Sequence, residues 1–478
     1  MINKKFGKDL SLVIISNGVK LISSILTVFF IPLIFSQQDY GFYKLFLLYI
    51  SYVGIFHFGF LDGIYLHFAG SDYEELNKEN FRMFTKFLFF FQLLIAFLVI
   101  ALSFFISGDR QLIVLLVGVN LLVLNLTTYY QYISQVTQRF KEFAVRNIIY
   151  TIMNVALIGS FYLFDIKDYK LFIILTVLIN VLLLIWHVYS YRQITFGKST
   201  KIKESHKMLS YLFKIGIILL FSNLVVMFFS SIPRQFVDLM YPVEIYPDIF
   251  SNFSFAYTLM GFTGVFMSAI SLVLYPSLKK ATTTEMKQSY NKFNAFVLSS
   301  VFLLISAFFP LSYIVEKFLP NYESSLEIFY ILAPGIAISS AVTVVIHNYY
   351  KTLNKNKEFL ILGIINLILL TGVIVLVHTF ISQNIIYISI TTVIVEFIWY
   401  LSLDCYLNTS YRNLSVKNII YILLSSVSFY LIALYENLFV GFLLYAFIIL
   451  ILTLIFYKRD IMSIYIKFKE RKNNSVIK

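Results

Sequence analysis

Charge is scarce in this chain. Only 13% of its 478 residues are Asp, Glu, Lys or Arg, against roughly 25% in soluble domains. Cysteine is nearly absent: Cys405 stands alone. One cysteine cannot close an internal disulfide, and no CxxC pair or His/Cys cluster offers a metal site. In its apolar run Cys405 is expected to be a small buried residue. Long polar segments are missing too. The longest loops, near 69–82, 192–208, 233–249 and 277–291, are too short for a soluble domain. No small-x-small cleavage site follows the first apolar run, so it is read as an uncleaved helix behind Lys4, Lys5 and Lys8. The short-segment alternation of a membrane β-barrel is also absent.

What the chain has instead is apolar length: 59% hydrophobic residues and a positive mean hydropathy. Runs of about 20 apolar residues cross a bilayer. The reading is an all-α polytopic membrane protein with fourteen transmembrane helices, near 10–35, 42–68, 83–106, 112–136, 146–164, 170–191, 209–232, 250–275, 292–315, 326–350, 359–380, 384–407, 417–435 and 438–457. The last division rests on Glu436-Asn437 alone. With the N-terminus inside, 31 of the 38 Lys and Arg fall on inner segments and 5 on outer ones, Lys20 and Lys44 lying within spans. That bias puts both termini in the cytoplasm. The net charge of +13 reads as this inner excess, with no call for nucleic acid. The tail 458–478 reads as a solvated inner segment or a short helix on anionic headgroups.

The first span, Leu10 to Phe35, holds a charge. Lys20 sits near its middle, where it costs about 2.5–3.5 kcal/mol unless it meets water or a partner. Asn17, Lys20, Ser24 and Thr27 share one helical face, with Ser16 and Ser23 beside them. The opposite face is Ile, Val, Leu and Phe. The expectation is lipid on one side and a polar, cationic cavity on the other.

The chain also repeats itself. Lys141-Glu142-Phe143 with Ile148-Ile149 recurs as Lys357-Glu358-Phe359 with Ile364-Ile365, 216 residues on. Both copies sit at an inner loop entering a span, six helices apart, so the halves would be parallel. This gives an N-terminal six-helix lobe 1–191, a basic cytoplasmic linker 192–208, a second six-helix lobe 209–407, a helix pair 408–457 and the tail 458–478.

Three stretches carry a likeness. Asp39-Tyr40-Gly41-Phe42-Tyr43 opens the second span, Gly59 with Asp62-Gly63 lies near its end, and Lys141-Glu142-Phe143 precedes the fifth. In these and in its 6+6+2 layout the chain resembles Wzx-type polysaccharide flippases of the multidrug/oligosaccharidyl-lipid/polysaccharide (MOP) exporter superfamily. It departs from that pattern at Pro233-Arg234, where only the arginine carries over, and at Ile249 to Tyr257, where the motif is blurred. The resemblance implies a non-enzymatic carrier in the bacterial inner membrane, without a cofactor. Its cargo would be an oligosaccharide on undecaprenyl pyrophosphate, moved outward by alternating access. Membrane lipids and a polysaccharide polymerase would be its partners.

Such cargo needs cations for phosphate. The candidate substrate-binding residues are Lys20, Asn17, Lys44 and Arg234. Lys44 lies near the outer end, where snorkelling explains it equally well, and it shares a face with Ser51 and Asp62 on a straight helix. The intramembrane carboxylates Asp62 and Glu396, the latter in line with Ser389 and Thr392, suit coupling to a proton or sodium gradient. On a straight helix His57 lies roughly 140° from Asp62 and would not touch it. Asp238 is placed to pair with Arg234. Arg146 is explained by the inner charge excess, and Asp404 by solvation near the inner end. Asn120, Thr127, Gln131 and Gln135 line one side of the fourth span, for interhelical hydrogen bonds or a cavity wall. Two other functions fit the sequence: a cation-coupled multidrug antiporter of the same superfamily, and a membrane glycosyltransferase or glycan polymerase, for which the outer loop at 233–249 is short.

Overall fold

The computed structural model describes the backbone of residues 4–279, 281–411, 416–435 and 437–476. The side chains of residues 4–14, 17, 408–411, 461 and 463–476, and several between 262 and 277, lie outside that description, as does Glu436. The described residues form helices and no strand. In the first half these are α1 (Lys4–Ile34), α2 (Gln37–Ser51), α3 (Phe60–His67), α4 (Lys78–Ser103), α5 (Asp109–Val136), α6 (Phe140–Leu163), α7 (Tyr169–Ser190), the short α8 (Arg192–Thr195) and α9 (Ile202–Met240). Then follow α10 (Pro247–Lys279), α11 (Thr283–Ile305), α12 (Phe308–Phe318), α13 (Ser324–Ser340), α14 (His347–Thr352), α15 (Asn356–Phe380), α16 (Ile385–Tyr411), α17 (Val416–Ile432) and α18 (Leu438–Val476). The tail therefore continues the last helix as backbone.

Among the described residues, ten helices are long and apolar enough to cross a membrane, eleven with the bent pair Gln37–His57 and Phe60–His67. Gly18–Ile34 and Val416–Ile432 are shorter apolar helices. The chain is a multi-pass membrane protein, and the length and composition of its helices support ten or eleven of the fourteen expected spans. Exposed Phe90, Phe97 and Leu98 on α4, Ile361 and Ile368 on α15, and Leu454 and Ile455 on α18 are the outward surface such helices turn to lipid. Cys405 belongs to that surface; it is exposed, so the expected burial is corrected.

Helix starts follow local chemistry. Ser36 Oγ accepts from the Asp39 amide, Asp168 accepts from the amides of Lys170 and Leu171, and Thr282 with Glu285 closes a capping box.

Contacts divide the chain into two compact units, 1–227 with 238–254, and 228–237 with 255–478. In the first, α1 packs on α6, α4 on α5 and α5 on α7. In the second, α13 and α15 pack on α16, and α18 on α11 and α12.

The 216-residue repeat is visible in the backbone. Gln138 has φ 55° and Asn354, 216 residues on, has φ 56°. Each ends a helix with the same bonds: the Arg139 amide donates to the Ser134 carbonyl at 2.7 Å and the Lys355 amide to the Tyr350 carbonyl at 2.8 Å. The next turn repeats as well, Phe143 to Arg139 and Phe359 to Lys355. This is the left-handed helix stop followed by a new helix start.

Candidate functional site

Lys20 is exposed on α1, and so is Ile22. Two residues apart on a helix, they point roughly 200° from each other. Between them Ser16 and Ser23 are buried. The hydroxyls of Ser24 and Thr27 are taken by carbonyls of their own helix, Lys20 and Ser23 respectively. Lys20 and Ile22 are thus exposed on opposite sides of this helix. Asn17 lies on the same helix, but its side chain is outside the described residues.

Lys44 is buried, 8% exposed, with its ammonium 5.0 Å from the Tyr40 ring centre and 5.5 Å from that of Tyr43. An aromatic cradle of this kind holds a cation in a low-dielectric setting.

The second span is not straight. After α2 the chain tightens into a 3-10 turn at Val53–His57, and Phe58 (φ 49°) and Gly59 (φ 83°) both take left-handed backbone. α3 then leaves at 63° to the first segment. The phase that would align Lys44, Ser51 and Asp62 is lost at this break. The same break corrects the expected separation of His57 and Asp62: His57 Nδ1 lies 3.8 Å from Asp62 Oδ2, both residues being buried. Broken helix in a membrane leaves carbonyls that need partners. Here buried Gln92 donates to the Phe56 carbonyl at 3.0 Å, and Asn125 to that of Val53 at 3.2 Å and to Gln92 Oε1 at 2.7 Å.

Gly59 and Gly63 have a packing role. A Cβ on Gly63 would lie 2.0 Å from the Leu212 carbonyl oxygen, and one on Gly216 would lie 1.9 Å from the Gly59 carbonyl oxygen. α3 therefore meets α9 backbone to backbone within the first unit, the small-residue contact favoured between membrane helices.

Asp238 is bound to Arg110, whose guanidinium reaches both carboxylate oxygens at 2.8 and 2.7 Å and also Glu244 at 2.7 Å. Arg110, an outer cation in the charge count, is thus the fork that ties the turn after α9 to α5 in the first unit. Glu244 lies in that turn. Burial works against its charge, but the hydrogen bonds and charge of Arg110 outweigh this and hold its carboxyl below the ordinary value.

In the second unit Arg234 donates from Nε to the Ser230 carbonyl at 3.0 Å and stands over the Tyr257 ring at 5.3 Å. Tyr257 is also within electrostatic reach of Glu396. The structure thus gathers Arg234 and Glu396, assigned separately on sequence, around one phenol. Glu396 is 7% exposed and makes no hydrogen bond or ion pair among the described residues. Gly335 makes room for it; a Cβ there would lie 2.6 Å from Glu396 Oε2. Ser389 and Thr392 on the same face are buried. The residue 216 earlier is Asn180, which hydrogen-bonds Asn120 across helices at 3.2 Å. That bond answers the question raised for the fourth span in favour of interhelical bonding at Asn120. A buried carboxylate without a partner either takes up a proton or holds a cation.

The expected solvation of Asp404 is corrected, and Arg146, read only as part of the inner charge excess, is found buried. Asp404 is 1% exposed and accepts from the Tyr290 hydroxyl at 2.5 Å. Arg146 is 4% exposed, paired to Glu142 at 3.3 Å and covered by Tyr191 and Trp186. Sequence reasoning missed Arg110, Gln92, Asn125, Tyr257, Gly216 and Gly335. Gln92 and Asn125 carried a signal, as amides inside apolar runs; the glycines carried none without their partners.

No family model and no curated protein matches the chain by sequence. Solved structures do match its fold. The inward closed conformation of the lipid II flippase MurJ aligns with a TM-score of 0.58 at 15% identity, covering 94% of this chain and 98% of that one. An inward-facing multidrug resistance transporter of the MATE family aligns with a TM-score of 0.59 at 13% identity over 84% and 94%. A MOP superfamily transporter from Pyrococcus furiosus with a binding pocket of reverse polarity gives 0.54 at 12% over 85% and 96%. At these identities the likeness is one of fold alone.

Proposed function

We infer that the protein is a flippase for a lipid-linked oligosaccharide on a polyprenyl pyrophosphate carrier, in a bacterial inner membrane, serving surface polysaccharide assembly. The observation that carries this reading is Lys20: a lysine exposed midway along an apolar helix, opposite an exposed isoleucine. Such a helix offers a cation to an anionic headgroup on one side and tolerates an acyl chain on the other. The fold likeness to a lipid II flippase supports it, since that match extends over 94% of the chain against 84% for the MATE transporter.

In this reading 1–191 and 209–407 are two parallel six-helix lobes joined by 192–208, with the pair 408–457 added and both termini cytoplasmic. Lys20, with Asn17 and Lys44, is the cation offered to pyrophosphate by the first lobe, and Arg234 the one offered by the second. Asp62 and Glu396 couple transport to a proton or sodium gradient. The buried carboxylate of Glu396, without a hydrogen bond or ion pair among the described residues, supports its part in this. No chemical bond changes, and no cofactor is required.

The test is surface-glycan export in cells carrying Lys20→Ala or Lys20→Arg. The alanine variant is expected to insert normally and to lose export, and the arginine variant to retain part of it. Normal export by the alanine variant overturns the phosphate role. Drug resistance on expression, without glycan export, overturns the cargo in favour of a multidrug antiporter.

A further inference from the structure

We propose that His57 and Asp62 form a proton-binding site that sets the bend of the second span, an inference that rests on the reading of the chain as an ion-coupled transporter. The site centres on the lone pair of His57 Nδ1. The Gly59 amide donates to it at 3.2 Å, so in this structure Nδ1 is an acceptor and the neutral ring carries its hydrogen on Nε2. That bond spans the two left-handed residues, Phe58 and Gly59. It stands in for the helical bond that the break removes. A bulky residue such as Phe58 in left-handed backbone is strained, and it persists where its surroundings fix it.

Asp62 Oδ2 lies 3.8 Å from the same nitrogen. One atom therefore faces two claims. With the ring neutral, Nδ1 accepts from Gly59 and holds the turn. With the ring protonated, Nδ1 becomes a donor. It can no longer accept from Gly59, and the Asp62 carboxylate stands 3.8 Å away to accept from it. Proton uptake exchanges the bond that closes the turn for an ion pair to the first turn of α3. Balance is simple: one proton enters from water, no bond between heavy atoms changes, and the site gains one positive charge beside one carboxylate.

The groups facing the pair from its neighbours are few. From α3 there is Tyr65, and from α5 Tyr132, whose phenol is within electrostatic reach of Asp62 and Tyr65. From α4 and α5 the neutral amides Gln92 and Asn125 hold the carbonyls before the break. From α9, main-chain atoms of Leu212 and Gly216–Ile217 lie against Gly59 and Gly63. Histidine is also the side chain whose ordinary titration falls between about pH 5 and 8. The bent form keeps Nδ1 occupied and so binds the proton less readily than a form with Nδ1 turned to Asp62. By linkage, acid favours the second form.

The bend is measured directly in the full-length protein in lipid nanodiscs without substrate. Cysteines at Gln38 and Leu66, both exposed, carry spin labels in a Cys405→Ser background, and the label distance is read by double electron–electron resonance. Between pH 8 and pH 5 we expect a second distance to grow in, longer by on the order of 4 Å for helices rising about 1.5 Å per residue. His57→Gln is expected to keep one distance throughout. Asp62→Asn is expected to lower the midpoint by at least one pH unit, and it carries the test should His57→Gln not fold. A distance independent of pH, a transition that survives His57→Gln, or a midpoint unmoved by Asp62→Asn overturns the proposal. Glycan export with a pH-silent bend removes the hinge and leaves the flippase. A titrating bend in a protein that moves no lipid-linked glycan removes the flippase and leaves the hinge.

Discussion

At the scale of the residue, the charges in the membrane were visible and their partners were not. Lys20, Asp62 and Glu396 stand out in an apolar sequence because each is expensive there. Whether a carboxylate meets Arg110 depends on a distant part of the chain, and whether Asp62 meets His57 depends on a break in their own span; spacing along one straight helix carries neither. Asp238 illustrates this: the i, i+4 relation to Arg234 is local, whereas its fork comes from Arg110, 128 positions earlier. The same fork yields a pH dependence. Arg110 holds Glu244 below its ordinary value, so this link stabilises the fold above the unfolded carboxyl range of about 4.3 and is lost as pH falls through the lower folded value. Thermal unfolding of the detergent-purified protein should show Glu244→Gln less stable than wild type at pH 7. The two curves should converge as pH drops from about 5 towards 3. A difference that stays constant with pH would exclude the linkage.

At the scale of the element, apolar length located the helices well, since a span must be long and uninterrupted in composition. Composition is blind to what happened in the second span. Val53 to Phe60 is as apolar as a straight helix would be, and the break is written in two left-handed residues and in amides from α4 and α5. The glycines that looked like a family signature turn out to be a packing requirement. Gly216→Ala would drive its Cβ against the Gly59 carbonyl, and main chain cannot step aside. Overpacking of this kind costs about 1–3 kcal/mol, and the apparent Tm should fall accordingly. Gly335→Ala crowds the end of the flexible Glu396 side chain and otherwise makes an ordinary contact with Val393. It should leave Tm nearly unchanged while displacing the carboxylate. Equal Tm values for the two variants would contradict the backbone contact between α3 and α9.

At the scale of the whole molecule, the charge count and the 216-residue repeat reach furthest. The repeat was read from a few side chains, and its main-chain counterpart, two helix stops with matching bonds, lies where the motif placed it. Orientation is open to a direct check. In a Cys405→Ser background, a cysteine at Lys167 should react with a membrane-impermeant maleimide on intact cells, and one at Lys198 only after permeabilisation. The reverse pattern would invert the topology.

The broken second span has a further consequence, for biogenesis. Its two freed carbonyls, on Val53 and Phe56, are satisfied by Asn125 and Gln92. The first of these amides is 72 positions downstream. At about 5–20 residues per second, roughly 4–14 seconds of synthesis separate the second span from the side chain that completes it. Until the fourth span arrives, this segment either stays helical or shelters in the insertion machinery, and the native break forms only as a late step of membrane assembly.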